Sequence, residues 1–261
     1  MQTNVSQIRE RHRSIMYATP EMIERTLERV LLEVQKPGRY IGGEFNSVDK
    51  DWDAVDFRAA FAFPDLYDLG MSNLGWMILY DIINRQPDMY ADRVFSPWTD
   101  MEDVMRREGL PLYGLNSKRP LAEFDLLAIS LPYEQLYTNV LNMLDLAGMP
   151  LRAVERDGRY PLVIAGGHAC YNPEPMADFI DAFLVGEGED AILDIARALQ
   201  ACRGASREAQ LRTLAGIEGV YVPRFYDVAY HADGTVAAVT PNAPDVPRIV
   251  RKRIVPGPPP P

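Results

Sequence analysis

The sequence predicts an α/β fold with a doubly wound, mostly parallel sheet and helices on both faces. Short apolar runs alternate with helix-length segments between residues 57 and 202, which is the pattern of strands buried in a parallel sheet. The chain of 261 residues is 47% hydrophobic and 25% charged, as an ordinary globular protein is. We predict a helical lead-in and loop (1–56), the α/β domain (57–218), and a small C-terminal β-hairpin followed by a basic, proline-rich tail or linker (219–261).

The lead-in carries one well-marked helix at residues 20–34, where apolar side chains recur at helical spacing. Thr19 precedes Pro20, which predicts an N-cap followed by proline at the first helical position. The Pro37-Gly38 pair ends the helix, and residues 39–52 are predicted to form a polar loop or a short hairpin.

The α/β domain follows from its alternating elements. Five short apolar runs are predicted as strands, at residues 57–63, 92–95, 125–131, 162–165 and 181–185. Four intervening or following segments are predicted as helices, at residues 73–84, 99–108, 134–147 and 190–202. Thr99 followed by Glu102 indicates a capping box at the second of these helices. Two β-rich runs around Asp233-Gly234 predict the hairpin.

Charge and cysteine content exclude several classes of function. The net charge of −10 repels phosphate backbones, so we expect no nucleic-acid partner. Two cysteines, Cys170 and Cys202, supply neither a disulfide framework nor a four-thiolate site, and three scattered histidines predict no metal site. We find no signal-peptide core and no apolar run of membrane-spanning length, so we expect a cytoplasmic protein without a membrane partner.

Candidate binding residues lie in turns that follow predicted strands, because ligands of doubly wound folds lie beyond the carboxyl ends of the strands. Ser72, Asn73 and Gly75 come between the first strand and its helix, where backbone N–H groups face a ligand. The alternative is a simple N-cap by Ser72 or Asn73, with Gly75 allowing close packing of the helix on the sheet.

Tyr133 follows the third strand and is a candidate wall residue. Alternatively, Ser130 and Glu134 beside it only cap the next helix.

The turn after the fourth strand begins with Gly166 and Gly167, which allow a ligand to lie against the backbone. His168 and Cys170 would then lie near that ligand. The alternative is that His168 is only a hydrogen-bonding group and Cys170 a small buried apolar residue.

Gly186, Glu187 and Gly188 open the last turn, which formally matches the G-x-G-x-x-A dinucleotide pattern. We reject that interpretation, because three acidic residues here repel a pyrophosphate and suit the positive end of a helix dipole. Glu187 is instead expected to accept hydrogen bonds from a neutral group, or to cap the helix.

No catalytic residue is assigned. The sequence contains no G-x-x-x-x-G-K-[ST], G-x-S-x-G or H-E-x-x-H motif. An unrelated small-molecule enzyme that uses the carboxylates of Asp65, Asp68 or Glu187 is the weakest hypothesis, since nothing in their spacing distinguishes them from other loop carboxylates.

Several stretches together resemble the N-terminal region of radical SAM proteins with a cobalamin-binding domain, many of them uncharacterised. The stretches are KPGRYIGGEFN, FPDLYDLGMSNLGWMILYDIIN, RVFSPWTDME, SLPYEQLYTNVLNMLDLAGMPL and PLVIAGGHACYNPEPMADFIDAFLVGEGED, within residues 36–200. The resemblance implies a cobalamin-binding, flavodoxin-like domain that precedes a radical SAM barrel. It also implies that a corrinoid lies over the carboxyl ends of the strands, surrounded by Ser72, Asn73, Gly75, Tyr133, Gly166, Gly167, His168, Gly186, Glu187 and Gly188.

Two family motifs are absent. The chain lacks the C-x-x-x-C-x-x-C motif that holds a 4Fe-4S cluster, so S-adenosylmethionine and the cluster are expected only in the full-length family. It also lacks the D-x-H-x-x-G motif that supplies an axial histidine to cobalamin, and we do not assign His168 that role. We expect an N-terminal domain alone, truncated or stand-alone, with chemistry supplied by a barrel in cis or in trans.

The alternative is a docking or scaffold domain with a vestigial, empty pocket. The absent axial motif favours it, as does the basic tail of an otherwise acidic protein, with Arg248, Arg251, Lys252 and Arg253. That tail is equally interpreted as a solvated linker.

Overall fold

The computed structural model describes residues 18–257. The first 17 residues of the predicted lead-in and the last four of the proline-rich tail lie outside the described residues. Within this range, no helix is long and apolar enough to cross a membrane.

A six-stranded sheet forms the centre of the molecule, in the spatial order β2-β1-β3-β4-β5-β6. Its strands are β1 (Phe57–Phe63), β2 (Met89–Phe95), β3 (Leu126–Ser130), β4 (Leu162–Gly166), β5 (Ala182–Leu184) and β6 (Val220–Tyr221). The first five run parallel, and only β6 pairs antiparallel, at the edge beside β5. The order reverses between β1 and β3, which is the switch point of a doubly wound sheet.

Seven α-helices are described. They are α1 (Pro20–Val30), α2 (Tyr67–Gly70), α3 (Leu74–Asn84), α4 (Thr99–Glu108), α5 (Tyr137–Leu146), α6 (Ala191–Ala201) and α7 (Arg207–Ala215). Right-handed crossovers in this strand order place α3 on one face of the sheet and α4 and α5 on the other. Helix α6 contacts α3 and so lies on the same face as α3, and Arg106 of α4 pairs with Asp145 in the last turn of α5. The predicted doubly wound α/β class is confirmed.

Outside the sheet, a separate two-stranded hairpin consists of β7 (Tyr226–Tyr230) and β8 (Val236–Pro241). It confirms the hairpin expected around Asp233-Gly234, and Gly234 takes a positive φ of 85° in its turn. At the other end of the described range, the Thr19 hydroxyl accepts a hydrogen bond from Met22 N at 3.3 Å, which confirms the predicted N-cap of α1.

The structure differs from one local prediction. Thr99 does not cap α4, because the helix already includes it and begins after Trp98 without a side-chain cap. Of the two alternatives for residues 39–52, the structure has the loop, which follows a 3-10 turn at Pro37–Tyr40. Helix α7 was not predicted; the Ser206 hydroxyl caps it by accepting a hydrogen bond from Ala209 N at 3.2 Å.

A buried ionic cluster connects the sheet to α7. The carboxylate of Asp181, just before β5, accepts hydrogen bonds from Arg156 at 3.1 Å, from Arg207 at 2.6 Å and from Val163 N at 2.9 Å. The Arg156 side chain is fully buried. Removing one partner of such a cluster leaves a buried charge uncompensated, which costs far more than an exposed ion pair contributes.

We therefore expect Asp181→Ala to lower the free energy of unfolding by about 3–5 kcal/mol, because Arg156 would keep its charge without a carboxylate. The matched control is Asp178→Ala, whose partner Arg152 is more than half exposed; it should change stability by less than about 1 kcal/mol. Urea unfolding measures both. Equal losses for the two variants would contradict the assignment of the buried cluster.

Candidate functional site

A cleft of about 490 Å³ lies between α3, α6 and the carboxyl half of the sheet. Its floor is one face of four adjacent strands, lined by Phe61, Ala128, Ser130, Ile164, Gly166 and Leu184. The strand register confirms that these residues share a face, since Ala128 pairs with both Phe61 and Ile164, and Gly166 with both Ser130 and Leu184.

The floor is open in the middle of the sheet. Ala128, Ser130 and Gly166 are partly exposed, although β3 and β4 are flanked by strands on both sides. Central strands of a doubly wound sheet are normally covered on both faces. The small side chains at these three positions therefore leave space that neither helix fills.

The walls of the cleft are mostly apolar. Helix α3 contributes Trp76 and Leu79, and α6 contributes Ile192 and Ile195. An apolar lining with a few polar groups is typical of small-molecule sites. Of the ten candidate binding residues, eight line this cleft: Asn73, Gly75, Gly166, Gly167, His168, Gly186, Glu187 and Gly188.

The turn between β1 and α3 places a helix N-terminus at the cleft. The Asn73 side chain caps α3 by accepting a hydrogen bond from Trp76 N at 2.9 Å. This is the N-cap that the alternative interpretation of this turn expected. Ser72 does not cap the helix; its hydroxyl donates to Leu69 O at 2.8 Å, and Ser72 does not line the cleft. Gly75 is exposed, and a Cβ there would meet only the Asn73 side chain, at 3.7 Å. Close packing on the sheet therefore does not explain Gly75.

The turn after β4 approaches the end of β3 closely. Gly167 has a φ of 115°, and a Cβ built on it would lie 2.5 Å from Leu131 O, so only glycine fits without strain. Ala169 N donates to Leu131 O at 3.0 Å. This turn leaves His168 exposed at the cleft, with its ring centroid 6.2 Å from that of Tyr171.

Cys170, two residues further on, is buried and 1% exposed. Burial raises the pKa of its thiol to about 12, which disfavours the thiolate required of a nucleophile near neutral pH. This matches the alternative in which Cys170 is a small buried apolar residue. No group of three or more His, Cys, Asp or Glu side chains that could hold a metal ion occurs in residues 18–257.

The turn after β5 contacts the chain's own tail. Gly186 has a φ of 122°, and a Cβ on it would overlap the backbone of Arg253. The Glu187 carboxylate accepts a hydrogen bond from Val255 N at 2.5 Å. Glu187 was expected to accept a hydrogen bond from a neutral group, and here the protein's own backbone supplies that group. The N-cap position of α6 is Asp190, without a side-chain cap, so Glu187 does not cap the helix.

Tyr133 does not line the cleft. Its side chain is 40% exposed, and its hydroxyl donates to Asp65 at 3.2 Å. Neither Ser130 nor Glu134 beside it caps the following helix, which starts with a 3-10 turn at Glu134–Leu136 without a side-chain cap.

Like Glu187, the other two carboxylates named for an unrelated enzyme, Asp65 and Asp68, have partners within the protein. Asp68 pairs with Arg39 at 2.5 Å and with Lys36 at 3.3 Å. Desolvation raises the pKa of Asp68, but the hydrogen bonds from these two cations outweigh it and hold the pKa below its ordinary value. Asp65 accepts hydrogen bonds from Leu66 N and from Tyr133, and neither aspartate lines the cleft.

Sequence reasoning missed the apolar walls and two charged residues, Glu189 and Lys252, of which Lys252 lines the cleft from the tail. Gly186 and Gly219 were the one indication in the sequence that another segment contacts this part of the sheet. Both have positive φ, and at both a Cβ would clash with Arg253. From the sequence alone, such glycines indicate a close approach without naming what approaches.

Alanine substitutions at two glycines of the site should have different effects on stability. Gly167→Ala should lower the free energy of unfolding by about 2 kcal/mol, because it forces a left-handed φ and a contact with Leu131 O. Gly75→Ala, with open space and an exposed helical position, should leave stability unchanged or raise it by about 0.5 kcal/mol. Thermal unfolding of both variants tests this. A fully stable Gly167→Ala protein would contradict the backbone geometry of this turn.

Comparison with known proteins places the chain in a family. The family model described as "Radical SAM proteins, N-terminal" matches residues 75–223, more than half of the chain. No curated protein matches. Two solved structures of the radical S-adenosylmethionine methyltransferase TsrM from Kitasatospora setae are similar at low identity. The one with cobalamin and a [4Fe-4S] cluster bound shares 13% identity at a TM-score of 0.41, covering 77% of this chain and 31% of that one.

The second TsrM structure, with tryptophan substrate and a SAM analog bound, shares 12% identity at a TM-score of 0.37, covering 72% of this chain. Our chain covers 31% of the length of either solved chain. The family assignment depends on the family model alone, and by that match the chain belongs to the radical SAM proteins, in which it corresponds to the N-terminal region.

Proposed function

We propose that this chain is the corrinoid-binding module of a radical SAM protein and that it holds its cofactor in the cleft at the carboxyl ends of the strands. The observation that carries the proposal is the open floor of the cleft at Ala128, Ser130 and Gly166. Helices normally cover the central strands of such a sheet, so an uncovered stretch indicates a surface kept free for a ligand. Doubly wound folds bind their ligands in a cleft at the topological switch point, and small-molecule sites are mostly apolar.

The residues present suit a large, mostly apolar ligand with polar edges. Gly166, Gly167, Gly186 and Gly188 expose backbone along one side of the cleft, and Asn73 and Gly75 place the N-terminus of α3 on the other. The first N–H groups of a helix have no acceptor inside it, so they are available to carbonyl or amide groups of a ligand. When bound, the corrinoid would supply methyl-transfer or radical chemistry.

The catalytic step is assigned to a radical SAM barrel, in cis or in trans, rather than to this chain. Two cysteines cannot satisfy the three-cysteine cluster motif, and one of them, Cys170, is buried. In this proposal the chain's own residues would bind and orient the corrinoid and exclude water from the part of it that lies in the cleft.

The second candidate is a docking module whose cleft holds no cofactor. Its support is the β7–β8 hairpin, which projects Tyr230, Val236 and Val239 into solvent at 64%, 54% and 42% exposure. A two-stranded hairpin with uncovered apolar side chains is marginally stable alone and favours a partner surface. Partner binding that is lost on removal of the hairpin, together with no corrinoid binding by the intact chain, would favour this second function over the first.

The proposal predicts that hydroxocobalamin binds the purified chain and co-elutes with it, with a change in the corrinoid's visible spectrum. Gly166→Leu should weaken that binding by about tenfold or more, because the added side chain enters the floor of the cleft. The backbone tolerates it, since a Cβ at Gly166 only touches Leu184 at 3.8 Å. Titration followed by visible absorbance gives the affinities.

The matched control is Gly158→Leu, which adds the same side chain at an exposed glycine with no neighbour within 4 Å. It should bind hydroxocobalamin as the unmodified chain does. Absence of co-elution and of any spectral change at high micromolar corrinoid would overturn the proposal, and equal effects of the two leucine variants would remove the cleft as the site.

A further inference from the structure

Residues 251–255 of the tail, here called the strap, return to the sheet after the hairpin and lie along the end of β5. Arg253 N donates to Val185 O at 2.9 Å, and Glu187 N donates to Arg253 O at 3.1 Å. These two bonds form a parallel bridge between Gly186 and Arg253. The strap thus extends the sheet by one short segment at the mouth of the cleft.

The position of the strap is fixed at Arg253. The backbone of Arg253 lies against Gly186 and its Cβ against Gly219, at the two positions where a side chain would clash. The Arg253 guanidinium pairs with Asp194 of α6 at 2.7 Å. Because the backbone and the side chain of Arg253 are both held, the position of the preceding residue, Lys252, is fixed as well.

That neighbour, Lys252, lines the cleft. Its ammonium lies 5.7 Å from the centroid of the Tyr171 ring, and in the part of the chain that the structure describes it forms no ion pair. Among residues 18–257, Lys252 is the one lysine or arginine in the lining, which also contains the carboxylates of Glu187 and Glu189. The Glu187 carboxylate already accepts the Val255 N–H, so Lys252 is the group that is available to an anion.

We propose that Lys252 is a specificity residue that pairs with the single phosphodiester of a nucleotide-bearing corrinoid, so that the strap selects complete corrinoids over those without a nucleotide. The inference rests on the proposed function and deepens it. One cation matches the one negative charge of a phosphodiester, whereas the two glutamates of the same turn disfavour a diphosphate with more charge. The strap is therefore one wall of the binding site.

The test compares three probes on the folded chain: hydroxocobalamin, cobinamide, which lacks the nucleotide and its phosphate, and AMP. Lys252→Gln should weaken hydroxocobalamin binding by about fivefold and leave cobinamide binding unchanged, because only the former carries the phosphate. Lys252→Arg should restore most of the loss. Arg251→Gln, which removes the same charge from a strap residue that does not line the cleft, should change neither affinity.

Each outcome is decisive. Equal weakening of hydroxocobalamin and cobinamide by Lys252→Gln, or no weakening of either, overturns the role of Lys252 while leaving the proposed corrinoid site intact. Tight AMP binding with the same dependence on Lys252 would assign the strap to a free nucleotide and overturn the commitment to a corrinoid. If neither corrinoid binds the unmodified chain, the proposed function itself fails, and this inference fails with it.

Discussion

Backbone meets backbone at two points of the sheet's carboxyl edge, and neither point has room for a side chain. Gly167 lies against Leu131 and Gly186 against Arg253, both with φ in the left-handed region. The first contact fixes the path of the turn after β4, and the second fixes the strap. Since these two segments form adjoining sides of the cleft, the shape of the site depends on glycine at both positions.

The open floor of the cleft is the second constraint. A parallel sheet gains most of its stability by covering both faces with helices. Here α3 and α6 cover the edges of one face, while Ala128 and Gly166 in the middle stay accessible. Leaving this surface uncovered forgoes stabilisation by burial, as ligand sites in general do. This local departure from ordinary packing is the basis of the proposed binding function.

The sequence predicted the architecture well because the relevant signals are local. The apolar run of β1 has the bounds expected for it, and the predicted N-caps at Thr19 and Asn73 both form. Two failures were local: the Thr99–Glu102 pattern does not form a cap, and α7 was missed although Ser206 caps it. The other failures were too short or too distant to leave a local pattern. The two-residue strand β6 has no periodicity, and nothing near Gly186 indicates that its neighbour would be Arg253, which lies 67 residues later in the chain. The candidate residues were found by their position after strands, whereas the apolar walls and Lys252 required the tertiary fold.

Hydrogen–deuterium exchange of the chain with and without hydroxocobalamin reports where the ligand lies. A corrinoid bound at the carboxyl edge of the sheet should slow exchange in the turns that follow β3, β4 and β5 and in the strap, with no change at the amino ends of the strands around residues 158–162. Protection confined to those amino ends, or no protection at corrinoid concentrations that saturate the spectral change, would contradict a binding site at the carboxyl edge of the sheet.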